Sequence, residues 1–401
     1  MNVSSGIQRT LRFAQYLPEF NWEPAVLTAH PRVYSGISQA SLAEVPAHLQ
    51  VRRAFALDAA KHLSVRGAYP RWLALPDRWV SWWLGAVPAG LALIWKLKPD
   101  IIWSTFPIAT AHLIGYALHR LTGIPWVADF RDPMAEPGDP AKMRQHNALE
   151  WIEQKTLKHC ERAVFAAPGA LKLYTDRYPD MPQSRLALIE NGYDESAFAA
   201  AEQQTGDLGR SGGGPLVLVH SGTIYPDARD PRLFFGALSE LRKNGAIGPG
   251  SLRIVLRATG CDDYLRDLIR GHGLDGIVTV EPAVAYRAAL AEMLAADGLL
   301  LFQAANCNYQ VPAKLYEYLR ARRPIVALTD PAGDTAAVLR DAGIDTIAPL
   351  DSQQAILQLL VRFLDLLKQK RAPVAREAKV AAASRRVRTM ELARVLNGVA
   401  G

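Results

Sequence analysis

Eleven short runs of aliphatic and β-branched residues punctuate this 401-residue chain, most of them separated by segments with apolar residues at helical spacing. The first series reads Ala25-Val26-Leu27-Thr28, Ile101-Ile102-Trp103-Ser104, Trp126-Val127-Ala128, Ala163-Val164-Phe165-Ala166 and Leu186-Ala187-Leu188-Ile189. The second reads Leu216–Val219, Leu252–Leu256, Ile277–Val280, Gly298–Phe302, Ile325–Leu328 and Ile344–Ile347. Between them, Leu113, Tyr116, Ala117 and Leu121 illustrate the helical spacing. Strands alternating with helices imply parallel sheets covered on both faces, hence a doubly wound α/β chain. A polar, glycine-rich break from Gln203 to Gly214 separates the two series. The expected division is a first domain over 1–200, a linker over 201–214, a second domain over 215–375 and a basic helical tail over 376–401. Two Rossmann-like domains facing a cleft are the natural architecture, with ligands outside the carboxyl ends of the strands.

Composition narrows the partners. The net charge of +7 favours anions: nucleotides, lipid phosphates, a membrane surface or nucleic acid. A basic surface with no dedicated partner is the plain alternative. The basic residues are scattered and accompany no recognition motif, so no nucleic-acid partner is expected. Cys160, Cys261 and Cys307 lie far apart without a CxxC pair, which fits a reducing, cytoplasmic compartment. The nine histidines form no HExxH or Cys/His cluster, so no metal is expected. No run reaches the ~18 apolar residues of a membrane span, and the opening Met1–Gly6 is polar where a secretory signal needs an apolar run.

One segment carries chemistry. In Val311-Pro312-Ala313-Lys314-Leu315-Tyr316-Glu317, Lys314 and Glu317 lie three residues apart at a helix start and share a face. A loop of small and polar residues (304–310) precedes the helix and the strand Ile325–Leu328 follows it. A helix start offers unpaired N–H groups and a positive dipole end. Lys314 adds charge to a diphosphate there and Glu317 accepts from sugar hydroxyls; a solvated ion pair is the plain alternative. Gly222 lets backbone approach a phosphate closely, and Arg229 is a second candidate cation, with a free surface arginine as its rival. Asp129, Arg131 and Asp132 fall just past a strand's carboxyl end, where catalytic groups belong; the rival is an Asp–Arg brace. Gly6 and Arg9 open a helix and are candidates for acceptor or phosphate contact. Asn191-Gly192 reads as a turn, and His112 and His220 as packed or capping residues.

Ser5 to Phe20 reads as the first helix, with Ile7, Leu11, Ala14 and Leu17 on one face. A doubly wound domain calls for a strand before it, so a first strand is expected to be missing. Trp72, Trp79, Trp82, Trp83 and Trp95, with Arg71, Arg78, Lys96 and Lys98 around them, point to an interfacial helix interrupted by Pro88. That tryptophans here simply fill core stays open.

Taken together, Ser5-Gly6-Ile7-Gln8-Arg9-Thr10, Tyr16–Phe20, Pro125-Trp126-Val127-Ala128-Asp129-Phe130-Arg131-Asp132-Pro133, Ile189-Glu190-Asn191-Gly192, His220-Ser221-Gly222-Thr223 and the Lys314/Glu317 segment resemble the family 4 glycosyltransferases of the GT-B fold. The likeness is to bacterial members of surface-polysaccharide assembly and covers nearly the whole chain. It implies transfer of a sugar from a nucleotide-diphosphate sugar to a saccharide or polyprenyl-diphosphate-linked acceptor, with retention and without a cofactor. It also implies a donor site in the second domain and an acceptor site in the first. A missing first strand fits the resemblance too, since members commonly begin with one. There are departures. Tyr309 stands where many members have the first glutamate of a Glu-x7-Glu pair, so backbone from Asn308 through Tyr309 and Gln310 to Val311 must meet the sugar. Arg131 stands where some hold a histidine; it cannot act as a base but can stabilise charge. If the aromatic run is an interfacial helix, the expected cytoplasmic protein also makes peripheral contact with the inner membrane leaflet. The other functions are a non-catalytic nucleotide-sugar-binding partner in an assembly complex and a sugar-nucleotide epimerase.

Overall fold

The computed structural model describes residues 7–34, 36, 42, 44–64, 66, 69–135, 143–205 and 214–401. The chain divides into two compact units, Met1–Glu190 with Arg385–Gly401, and Asn191–Ser384. This differs from the expected division. The change of unit falls at Glu190, residues 201–205 end the helix Glu195–Thr205, and the tail from Arg385 returns to the first unit. The reason is packing: Leu392, Ala393 and Leu396 on the helix Arg385–Ala400 share one core with Phe13, Leu17, Val127, Val164 and Ile189. An apolar helical stripe has to be buried against some core, and here that core belongs to the chain's beginning.

In the first unit, β1 (Ala25–Ala29) pairs in parallel with β2 (Gln50–Ala54). A separate parallel sheet runs β3 (Ile102–Thr105), β4 (Trp126–Arg131), β5 (Arg162–Phe165) and β6 (Leu186–Leu188). The strand β2 escaped the sequence reading because Arg52 and Arg53 break its apolar pattern on an exposed edge. The first helix is shorter than expected. It spans Ile7–Tyr16, and Pro18 turns the chain into a 3-10 segment, Leu17–Phe20. The expected missing strand concerns chain ahead of this helix and lies outside the described residues.

The second unit is one six-stranded parallel sheet. Its strands are β7 (Leu216–Ser221), β8 (Leu252–Arg257), β9 (Val278–Glu281), β10 (Gly298–Phe302), β11 (Ile325–Leu328) and β12 (Ile347–Ala348). Their order is β12-β11-β10-β7-β8-β9. All five residues of β10 are buried, as a strand covered by helices on both faces must be. The order reverses between β7 and β10, so the crevice beyond their carboxyl ends is this sheet's ligand position.

Candidate functional site

The chain leaves β7 at Ser221 and turns at Gly222, whose φ of 114° strongly favours glycine. A Cβ added there would lie 2.8 Å from Lys314 Nζ, so the ammonium and the turn are in close contact. Tyr318 holds this arrangement: its buried hydroxyl accepts from Ser221 N at 3.0 Å. On the β10 side, Gln303 folds the following loop by donating from Nε2 to the carbonyls of Cys307 and Gln310, at 3.3 and 3.4 Å. Thr335 donates to the same Gln310 carbonyl at 3.3 Å, and Asn308 donates to Asp330 at 2.6 Å. The loop therefore delivers Val311 and Pro312 in a fixed position. The helix Ala313–Ala321 then starts with no side-chain cap; the Leu315 amide bonds the Pro312 carbonyl at 2.9 Å, and the amides ahead of it face the ligand position.

Lys314 is half-buried, and desolvation, reinforced by Arg229 and opposed by Glu317, pulls its ammonium down to about 7. His220 lies against it, Nε2 being 3.4 Å from Nζ. Burial first, then Lys314, hold the imidazole well below its usual range, so the ring is neutral. Its Nδ1 meets the Leu300 carbonyl at 2.9 Å and its Nε2 the Gly222 carbonyl at 3.0 Å, which ties the ring to the glycine turn. The guanidinium of Arg229 lies 5.7 Å over the Tyr225 ring, and its buried Nε has no protein partner. Among the described side chains, no carboxylate forms an ion pair with Lys314 or Arg229. Two cations, a close-approach glycine and an uncapped helix start thus converge at the reversal point of the sheet. Glu317, one turn along, accepts from the Tyr286 hydroxyl at 2.7 Å, which aims its carboxylate. Beyond β8 and β9 lies an open cavity of about 550 Å³ lined by Ala258, Gly260–Tyr264, Pro282 and Ala283. A Cβ on Gly260 would stand 3.5 Å from the Thr223 methyl, so the cavity borders the Gly222 turn.

In the first unit, β4 carries a bulge. Its register against β5 shifts between Asp129 and Arg131, and Arg131 has a φ of 60°. A left-handed arginine in a bulge at a strand's carboxyl end is a strained conformation of the kind found at functional sites. Arg131 donates to the Phe106 carbonyl at 3.2 Å, and burial lowers its pKa from the usual arginine range while Asp129 opposes the shift. Asp132 follows, its N–H on the Phe130 carbonyl at 2.7 Å.

Asp129 is different. It is fully buried, accepts from Arg9 Nε and Nη2 at 3.0 Å each, and accepts from Thr105 at 2.9 Å. Arg9 is also buried and spends its remaining donors on the carbonyls of Ile189 and Glu190. The geometry therefore corrects two expectations: Asp129 is a brace rather than an accessible catalytic group, and Arg9 is its partner rather than an acceptor contact. A carboxylate stripped of water needs such a partner, which the spacing of residues 120 apart in sequence could not show. Gly6 lies outside the described residues.

Glu153 braces the same loop. It is buried and accepts from Tyr174 at 2.5 Å, from Tyr178 and Arg177 at 2.7 Å, and from Ala135 N at 3.1 Å, while Tyr174 also receives Met134 N. The structure thus joins Gly222, Arg229, Lys314 and Glu317 in one place, with Gln310 and Val311 on its approach and Tyr309 in the preceding loop. Sequence reasoning missed Gln303, Tyr286, Tyr318 and Glu153 and gave His220 only a packing role. Gln303 alone left a signal, being polar directly after an all-apolar strand.

Two α/β units built on parallel sheets, the second with this strand order, give the chain the GT-B fold of glycosyltransferases. Residues 5–192 match the Glycosyl transferase 4-like domain family, and over those residues the chain carries that glycosyltransferase domain. No curated protein sequence matches the chain. Solved structures share the fold over its whole length. Sucrose-phosphate synthase from Thermosynechococcus elongatus is 13% identical with a TM-score of 0.69, covering 98% of this chain and 93% of its own. Anabaena HepE, solved with UDP, is 15% identical with a TM-score of 0.67, covering 98% and 96%. A trehalose-phosphate synthase from Burkholderia xenovorans, solved with glucose-6-phosphate, is 14% identical with a TM-score of 0.65, covering 99% of each.

Proposed function

We propose that this glycosyltransferase takes a nucleotide-diphosphate sugar as donor and transfers the sugar, with retention, to a saccharide or polyprenyl-diphosphate-linked acceptor in polysaccharide biosynthesis at the cytoplasmic face of a membrane. The observation that carries the donor reading is the pairing of Lys314 with Arg229 beside the Gly222 turn. Their ligand is a diphosphate, held also by the open amides of the helix Ala313–Ala321. Glu317, aimed by Tyr286, takes the ribose hydroxyls, and the cavity beyond β8 and β9 seats the base. That a UDP complex exists for a protein of the same fold supports this choice of ligand.

As the glycosidic bond to the diphosphate breaks, negative charge grows on the leaving phosphate. Lys314 and Arg229 stabilise that charge without a metal. The acceptor hydroxyl attacks on the same face and its proton passes to the departing phosphate oxygen, so no protein base is required. Arg131, held at its strained φ, and Asp132 serve the acceptor. Calorimetric titration with UDP- and GDP-sugars, followed by product analysis with saccharide and lipid-linked acceptors, tests the reading. Failure to bind any nucleotide sugar would sink it. Binding without turnover would identify a non-catalytic partner, and donor conversion without acceptor an epimerase.

A further inference from the structure

Five of the chain's nine tryptophans and six of its seven net positive charges fall in residues 50–99, where eight Lys and Arg stand against two Asp. Neither aspartate offsets the surface charge elsewhere: Asp58 is buried on Arg78, and Asp77 accepts from Thr110 N at 2.8 Å. Within this stretch the helix Trp82–Leu97 buries Ala86, Val87 and Gly90, packing near Leu27, Ile114 and Leu118. A surface helix ordinarily turns polar residues outward on its other face. Here Leu84, Pro88, Ala92 and Trp95 recur at helical spacing there, and no charged side chain appears on the helix until Lys96. Leu84 is 65% exposed and Trp95 76%. Phe55 packs its backbone against Gly85 and stays exposed, with the Arg32 guanidinium 4.8 Å over its ring. Exposed Arg52, Arg53, Lys96 and Lys98 belong to the same segment, and Trp72 is 69% exposed in the preceding 3-10 turn.

A contiguous apolar helix face of this kind marks an interaction surface. Its charge selects the occupant. A second copy would bring like charge against like, whereas a bilayer with anionic headgroups supplies the opposite sign, and tryptophan and basic side chains both favour the membrane–water boundary. No helix among the described residues is long and apolar enough to cross a membrane. We propose that the helix Trp82–Leu97 and the basic residues of its segment dock the protein peripherally on an anionic lipid bilayer, with Leu84 and Trp95 entering the boundary between headgroups and acyl chains. The docking goes beyond the transfer reaction and is read without it.

The test is flotation of the full chain with vesicles of phosphatidylcholine alone or containing phosphatidylglycerol. The native chain partitions onto the phosphatidylglycerol vesicles at low salt and leaves them at high salt. The pairs Leu84→Ser with Trp95→Ser, and Lys96→Glu with Lys98→Glu, each weaken partition by at least about tenfold. Both pairs retain the native melting profile and UDP affinity, which separates loss of docking from misfolding and from failure of the donor reading. Three results overturn the proposal: no preference for phosphatidylglycerol, partition of both variants equal to native, or a dimer in solution that Trp95→Ser dissociates, which would give the face to a second copy.

Discussion

Raising the pH above 7 is the perturbation that probes the donor site most directly, because the Lys314 ammonium is drawn down to about 7 in the free protein. A bound diphosphate requires the charged form. Binding above pH 7 must therefore take up a proton, and affinity falls about tenfold for each further pH unit until the neutral amine binds equally well. At pH 8 the uptake is about 0.9 proton per nucleotide. His220, which faces Lys314, is already neutral over this range and adds nothing to the dependence. Calorimetry of UDP binding in buffers of different ionisation enthalpy reads the proton count directly. Lys314→Met removes the pH slope and weakens UDP by about 10- to 150-fold, the worth of one charge-assisted hydrogen bond. It also stabilises the free protein. Because the folded pKa lies below the unfolded 10.5, the unfolded chain holds the extra proton between these values, so stability rises with pH from about 7. The full shift corresponds to about 5 kcal/mol, and solvent access to a half-buried amine reduces the expected gain from Lys314→Met near pH 7 to about 2 kcal/mol. A pH-independent UDP affinity with no proton uptake at pH 8 would refute the reasoning.

Gly222→Ala puts a Cβ into the Lys314 ammonium at a φ of 114°; strain of about 1–3 kcal/mol is expected, with loss of UDP binding, seen in melting and calorimetry. Tyr286→Phe removes the donor that aims Glu317; UDP weakens about fivefold, by about 1 kcal/mol, while 2′,3′-dideoxy-UDP is unaffected, and equal losses for both would remove Glu317 from ribose recognition. Arg9→Met strands Asp129 without its bidentate partner; the first unit loses about 3–5 kcal/mol in denaturant unfolding, and an unchanged midpoint would deny the brace.

The strands that were easiest to see, Gly298–Phe302 and Ile325–Leu328, are where the structure has them because a strand buried on both faces needs an unbroken apolar run. The strand Gln50–Ala54 stayed hidden because an exposed edge tolerates arginines. Lys314 and Glu317 were legible because one helical turn fixes their mutual position whatever else the chain does. Gly222 and Arg229 were legible only as candidates: the reversal of strand order between β7 and β10 sets Gly222 against Lys314, a contact across 92 positions of chain.

Asp129 shows the limit from the other side. Its place after a strand suited a catalytic group, and only the folded chain revealed Arg9 and Thr105 on its carboxylate. By itself the sequence determined the doubly wound class, the family likeness and the helix-borne pair Lys314 and Glu317, all of which depend on short-range periodicity and spacing. Tertiary structure decided which charges are spent and which remain for a ligand. Burial and pairing between distant segments set that outcome: Arg9 and Asp129 make a closed brace where water is excluded, whereas Arg229 and Lys314 stand together beside the Gly222 turn.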